Sequence, residues 1–263
     1  MIYKVYKDPG KTSLQAMREF AQANNLQGKL TFAGRLDPLA EGVFLVLSGQ
    51  DRFKKDKLNA LDKKYTVEVL FGVSTDTGDI LGMPQSFNLP SRLGEAQIKT
   101  LLKGFVGDVN WSYPCFSSKT FKGMELFKWA LQGKCPKERP KYSGKIYRLK
   151  FVELKKLSIT QVQEFILSNL NKVEESSVKD WFKDFRVSQI QNAWMGLLDN
   201  ETEKSFFVLR LEIVVSKSVY MRTLAEKIGE KLNLPALALS IKRDAFGKFI
   251  GFGGVRGVFL RRY

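Results

Sequence analysis

The chain has no histidine among its 263 residues. Imidazole acid–base catalysis and His-ligated metal centres are therefore excluded. Cysteine is nearly absent. Cys115 and Cys135 stand alone, a number and spacing that fit neither a metal-ligand set nor a disulfide framework. Long apolar runs are missing as well. The longest burst, Val43–Leu47, is strand-sized and far below the roughly 18 residues of a membrane span. Met1–Gly10 holds no apolar stretch of signal-peptide length, so a cytoplasmic protein with no membrane attachment is expected. Chemistry must come from Asp, Glu, Lys, Arg, Tyr, Ser or Cys, or from an imported cofactor.

What is abundant is positive charge. The chain carries 43 basic and 27 acidic residues, a net +16. The excess is segmental: +5 over residues 1–64, −2 over 65–112, +9 over 113–156, −3 over 157–205 and +7 over 206–263. Clustered basic blocks point to a polyanionic partner. General lysine-driven solubility accounts for part of the same excess. Hydrophobic residues make up 44% of the chain, enough for a sizeable core.

Periodicity gives the elements. Thr12 with Gln15 fits a capping box opening a helix, with Leu14, Met17, Phe20 and Ala21 as its apolar face. Tyr65, Val67, Val69 and Phe71 alternate, as do Phe207, Leu209, Leu211, Ile213 and Val215, so both segments predict strands. Helices are predicted over Glu95–Lys103, Gly123–Gly133, Thr160–Lys172 and Val219–Leu232, and a strand over Lys145–Leu154. Strands and helices alternate irregularly. That predicts an α+β (mixed α/β) domain, with a mixed, largely antiparallel sheet and flanking helices, spanning residues 1–263 as one unit.

Three segments carry candidate chemistry. In Gly34-Arg35-Leu36-Asp37-Pro38-Leu39-Ala40-Glu41-Gly42 a carboxylate sits before a proline, between glycines, ahead of a buried strand. Pro38 pushes Asp37 towards an extended conformation on a rigidly held loop, where catalytic groups often lie. An ordinary Asp-Pro turn has the same local pattern. The second segment, Ser216–Leu224, places Tyr220 and Arg222 at a strand-to-helix junction. The third, Asp62-Lys63-Lys64-Tyr65, sets basic groups before an aromatic, the composition of base-stacking platforms and of plain strand edges alike. Gly10-Lys11-Thr12 is not a phosphate-binding loop, because the required earlier glycine is Val5.

Taken in order, these segments resemble the TruB family of tRNA pseudouridine synthases. Lys7-Asp8-Pro9-Gly10-Lys11-Thr12-Ser13 is similar to the family's K-P-x-G-x-T-S, and Gly34–Gly42 to G-x-L-D-P-x-A-x-G. Asp62–Tyr65 is similar to D-K-x-Y, and Thr75-Asp76-Thr77-Gly78-Asp79 to T-D-T-x-D. Tyr113–Lys119 loosely follows P-P-x-x-S-A-x-K, Ser216–Leu224 follows C-S-x-G-T-Y-I-R-x-L, and Ile241-Lys242-Arg243 follows a late L-R-R element.

The resemblance implies a pseudouridine-synthase fold and isomerisation of uridine 55 in the T-arm of tRNA. Neither cofactor nor metal is expected, and the protein is expected to be a monomer. Asp37 would be the catalytic carboxylate, Arg222 its cationic partner, Tyr65 the residue stacking on the flipped base and Tyr220 a contact near C5. Phe32, Arg35, Lys64, Ile241 and Arg243 would line the substrate path. Phe32 stands where the family has histidine. Residues 157–205 exceed the family's usual linker and read as a helical insertion. Few residues follow Phe249, so a C-terminal PUA domain is not expected. Gly34-Arg35-Leu36-Asp37 also resembles the motif of ribosomal-RNA pseudouridine synthases, which leaves the RNA substrate open. A non-catalytic RNA-binding relative, or an RNA chaperone, is the alternative. A carboxylate-pair glycosidase lacks a second acid in a comparable setting.

Overall fold

Alternating apolar residues build the centre of the fold, and the loops at one end of that centre carry the chemistry. The structure, a computed structural model, describes residues 1–177, 186–199, 204–252 and 256–261. The chain opens with β1 (Ile2–Lys7), α1 (Ser13–Ala23), β2 (Leu30–Ala33) and β3 (Glu41–Ser48). A 3₁₀ turn leads into the short α2 (Lys55–Asn59) and β4 (Asp62–Phe71). Next come β5 (Val73–Thr75), β6 (Pro84–Phe87), α3 (Glu95–Lys103), β7 (Gly107–Ser112), β8 (Thr120–Phe121), β9 (Met124–Glu125) and α4 (Leu126–Leu131). The remainder is β10 (Lys141–Ser158), α5 (Ile159–Ser177), α6 (Val187–Leu198), β11 (Ser205–Val215), α7 (Met221–Leu232), β12 (Ala236–Phe252) and β13 (Arg256–Arg261).

Among the described residues, nine strands form one sheet in the order β1-β3-β12-β4-β11-β10-β7, with β2 on β3 and β13 on β12. The pairs are antiparallel except β12 with β3, which run parallel at Lys242↔Glu41 and Arg243↔Gly42. This is the mixed, largely antiparallel sheet that the sequence predicts.

Both sheet faces are covered. On one, Tyr65, Val67, Val69 and Phe71 of β4 join Leu209, Leu211 and Ile213 of β11 under Ile98 and Leu102 of α3 and Leu224 and Ile228 of α7. On the other, Leu70, Val208, Leu237 and Leu239 meet Ile166 and Leu170 of α5 and Ile190 and Trp194 of α6. Val5, Ala16, Phe44 and Val46 form a smaller cluster beneath α1. The capping box at Thr12 and Gln15 is present as read from sequence. Among the described residues no helix is long and apolar enough to cross a membrane.

Several expectations change. Gly123 does not open a helix. Lys122 and Gly123 both have positive φ (48° and 81°) and form the tight turn of the β8–β9 hairpin, and α4 starts only at Leu126. The strand predicted over Lys145–Leu154 runs from Lys141 to Ser158. Cys115 and Cys135 are joined in a disulfide. The pairing of β7 with β10, extended by Tyr113 N–H donating to Pro140 O at 3.0 Å, doubles the chain back and brings the two sulfurs together. Within the block 157–205, α5 and α6 are helical, while residues 178–185 and 200–203 lie outside the described residues.

Candidate active site

The loop of residues 34–40 lies between β2 and β3, at the end of the sheet where β4 begins and β11 ends. Its backbone is held from four directions. Ser13 Oγ donates to Leu36 O (3.2 Å) and accepts from Leu36 N–H (2.9 Å). Gly34 N–H donates to Asn59 Oδ1 at 2.7 Å, and Ala40 N–H to Asp37 O at 3.0 Å. Gly10 N–H and Lys7 Nζ both donate to Pro38 O, at 2.9 and 3.1 Å. Arg243 Nε donates to Val43 O at 2.7 Å, and its Nη atoms reach Gly34 O and Arg35 O.

Two glycines are required here. Gly42 has φ +113°, and a Cβ on it would run into the Arg243 backbone. Gly34 has φ +77°, and a Cβ there would enter the Phe246 ring.

The loop presents Asp37 to a buried cation. Arg222 Nε donates to Asp37 Oδ2 at 2.9 Å; the guanidinium side chain is 3% exposed and the carboxylate 39%. Arg222 Nη1 donates to Thr77 O (2.6 Å) and Nη2 to Phe116 O (2.9 Å). Asp79 Oδ2 lies 3.7 Å from Arg222 Nε. Burial alone would lower the Arg222 pKa, but the carboxylates of Asp37 and Asp79 outweigh it and raise the pKa above the ordinary arginine value. Asp79 is pushed up to about 6 by burial, opposed by Arg222 and by the hydrogen bond from Thr77 Oγ1 at 2.7 Å.

Tyr220 is the N-cap residue of α7, two positions before Arg222. Its ring packs against Tyr113 and Tyr142, with centroids 5.8 and 5.4 Å away. Burial, reinforced by the Asp37 charge, raises its hydroxyl pKa. Tyr65 and Ile241 are buried in the same apolar cluster as Leu36 and Ala40 of the loop. Asp37, Tyr65, Tyr220, Arg222 and Ile241 thus gather around one end of the sheet.

Other sequence candidates lie elsewhere. Arg35 is exposed on the loop. Arg243 is 1% exposed; its guanidinium is occupied by loop carbonyls and interacts with Tyr65, its partner in the β4–β12 register. It shapes the loop from behind instead of reaching outwards. Lys64 points to the opposite sheet face from Tyr65 and pairs with Glu212 at 3.3 Å. Phe32 packs edge-on against Phe44 in the cluster under α1 (6.2 Å).

Two buried groups were missed from sequence. Asp79 belongs to the T-D-T-x-D segment, and its signal was that motif. Lys7 opens the K-x-P segment; it is 0% exposed, and burial lowers its pKa to about 7.

The family profile described as TruB family pseudouridylate synthase (N terminal domain) matches residues 19–167, more than half of the chain. The chain belongs to the TruB family. The tRNA pseudouridine synthase B of Thermosipho melanesiensis is 28% identical over 248 residues, covering 93% of this chain and 63% of that protein. The enzyme of the same name from Mycoplasmopsis pulmonis is 32% identical over 134 residues, or 51% of this chain and 46% of that protein. This chain therefore spans less than two thirds of the length of either relative. Among solved structures, one chain of a Cbf5-Nop10-Gar1 complex superposes with a TM-score of 0.54 at 16% identity, over 94% of this chain and 48% of that one. At this identity the likeness shows the fold alone.

Proposed function

We propose that this TruB-family chain isomerises uridine to pseudouridine in RNA, with uridine 55 in the tRNA T-arm as its target and the cytoplasm as its place of action. The observation that carries the reading is the Asp37–Arg222 pair: a half-exposed carboxylate fixed at 2.9 Å by a guanidinium almost wholly buried. A lone surface Asp in a turn has no such support.

The reaction needs little else. The C1′–N1 bond breaks, the uracil turns, C1′ joins C5, N1 gains a proton and C5 loses one. All atoms stay within one nucleotide, and no electron acceptor takes part. Asp37 acts as nucleophile at the sugar or base, or removes the C2′ proton. Each role uses the carboxylate that Arg222 holds in place. Extruding the base costs a few kcal/mol. Stacking on Tyr65 offsets part of that, at about 1–3 kcal/mol per base–aromatic contact. The Tyr220 hydroxyl, kept protonated by burial, stands beside Asp37 as a contact near C5.

Backbone binding falls to the basic blocks. In the +9 block, Lys119, Lys122 and Lys128 lie over the rings of Tyr113, Phe121 and Phe127, a basic-aromatic surface suited to RNA. Binding there should weaken steeply with salt.

The deciding experiment is incubation with an unmodified tRNA transcript followed by mapping of pseudouridines. Conversion at position 55 is expected. Conversion only elsewhere would change the substrate, and none in any RNA tried would sink the catalytic reading in favour of a binding protein.

A further inference from the structure

Arg186 belongs to the segment between β10 and β11, at least 36 positions from Asp37, Asp79 and Arg222 in sequence. Its side chain nevertheless ends at the support of Arg222. The two terminal nitrogens of Arg222 are held by Thr77 O and Phe116 O. Those carbonyls come from separate loops, and together they set where Nε points, and hence where Asp37 is held.

Arg186 joins the two loops. Its Nη1 donates to Asp76 Oδ2 at 2.8 Å, one residue before Thr77. The other Asp76 oxygen accepts Met83 N–H at 2.8 Å, so that carboxylate is itself fixed. The Arg186 guanidinium carbon lies 4.9 Å from the centroid of the Phe116 ring. One planar cation thus grips the neighbour of the first acceptor and the ring of the second. The ion pair is largely shielded, with side-chain exposures of 20% and 18%.

The backbone agrees with a functional reason for this side chain. Arg186 has φ +55° and ψ 29°, the left-handed region that disfavours residues other than glycine. Behind it, α6 is anchored to the same turn: Trp194 Nε1 donates to Ile80 O at 3.2 Å, and Ile190 and Trp194 are buried against Ile80. The reach of Arg186 is therefore set by a packed helix.

We propose that Arg186 is a positioning residue for the isomerisation: it fastens the carbonyl cradle of Arg222 and, through it, the orientation of Asp37. The helical segment between β10 and β11 would then be a brace for the site. This rests on the reading of Asp37 as the acting carboxylate.

The test uses Arg186→Gly and Arg186→Lys in the full chain. Glycine adopts the left-handed conformation freely, so the fold is spared while the side chain is removed. Lysine keeps the charge near Asp76 without the planar face that covers Phe116. For Arg186→Gly, the single-turnover rate on unmodified tRNA should fall about 10- to 100-fold, the scale of a misplaced catalytic group. Its RNA Kd should stay within about twofold and its Tm should hold, with Arg186→Lys recovering part of the rate. Hydrogen exchange at Arg222 Nε–H, followed by NMR, should quicken about tenfold or more as its cradle loosens.

Wild-type rate together with wild-type exchange in Arg186→Gly overturns the proposal. So does a loss of RNA affinity equal to the loss of rate, or a fall in Tm that accounts for it. Should the wild-type chain show no turnover while Arg222 exchange still quickens in the variant, the brace stands and the assignment of isomerase activity falls.

Discussion

Asp37 and Asp79 share one guanidinium. Arg222 Nε donates to Asp37 Oδ2 at 2.9 Å and lies 3.7 Å from Asp79 Oδ2. The first carboxylate is 39% exposed and the second 6%. Equal chemistry is thus divided by burial. Asp79 stays inside and helps fix the cation, and Asp37 offers an exposed edge to whatever binds beside it.

Asp37→Asn keeps the shape of that edge but removes its charge and nucleophilicity. Pseudouridine formation should fall by at least about a thousandfold. RNA affinity should stay within about threefold, because counterion release over the basic blocks supplies most of it. Rate assays beside filter-binding titrations test this, and normal turnover by the variant would end the mechanism.

Tyr65→Leu retains apolar bulk in a buried position and removes the aromatic face. The rate should drop about 10- to 100-fold, equivalent to the 1–3 kcal/mol of a base–aromatic stack, while RNA Kd changes far less. Equal losses in rate and affinity would assign Tyr65 a structural role alone.

Lys7 and Lys63 are both buried, and burial lowers each pKa to about 7. In the unfolded chain each returns to about 10.4. Between these values the unfolded state binds more protons, so each lysine makes the fold gain stability as pH rises from about 7 to about 10. Urea midpoints at pH 7 and pH 9.5 check the sign. Lys63→Met should show a smaller increase than wild type, and an equal increase would contradict the assignment.

Gly42→Ala places a Cβ against the Arg243 backbone at φ +113°. Neither side of that contact can yield, because β3 and β12 pair there. A loss of about 2–4 kcal/mol is expected, readable as a lowered Tm. A variant as stable as wild type would show that the two strands can separate without cost.

Much of this arrangement could be read from residue order. The glycines and proline around Asp37 marked a stiff loop, and the alternation from Tyr65 to Phe71 marked a strand with Tyr65 inward. That same alternation places Lys64 on the opposite face, so its distance from the site was also legible. β12 was less so. Register shifts at Ala238/Ser240 and Arg243/Ala245 break its period-two pattern. Arg243 was expected on the substrate path, because no local pattern reveals that carbonyls from residues 34, 35 and 43 will surround it. Arg186 gave no signal, since its partners Asp76 and Phe116 become neighbours only after α6 packs.

The parallel pairing of β12 with β3 has a consequence for synthesis. Gly34 O accepts from an arginine 209 positions later in the chain, and Asp37 from one 185 later. A growing polypeptide carrying the whole aspartate loop would still lack both guanidinium groups. Until those residues clear the ribosomal exit tunnel, the Asp37 carboxylate of the nascent protein has no guanidinium to aim it.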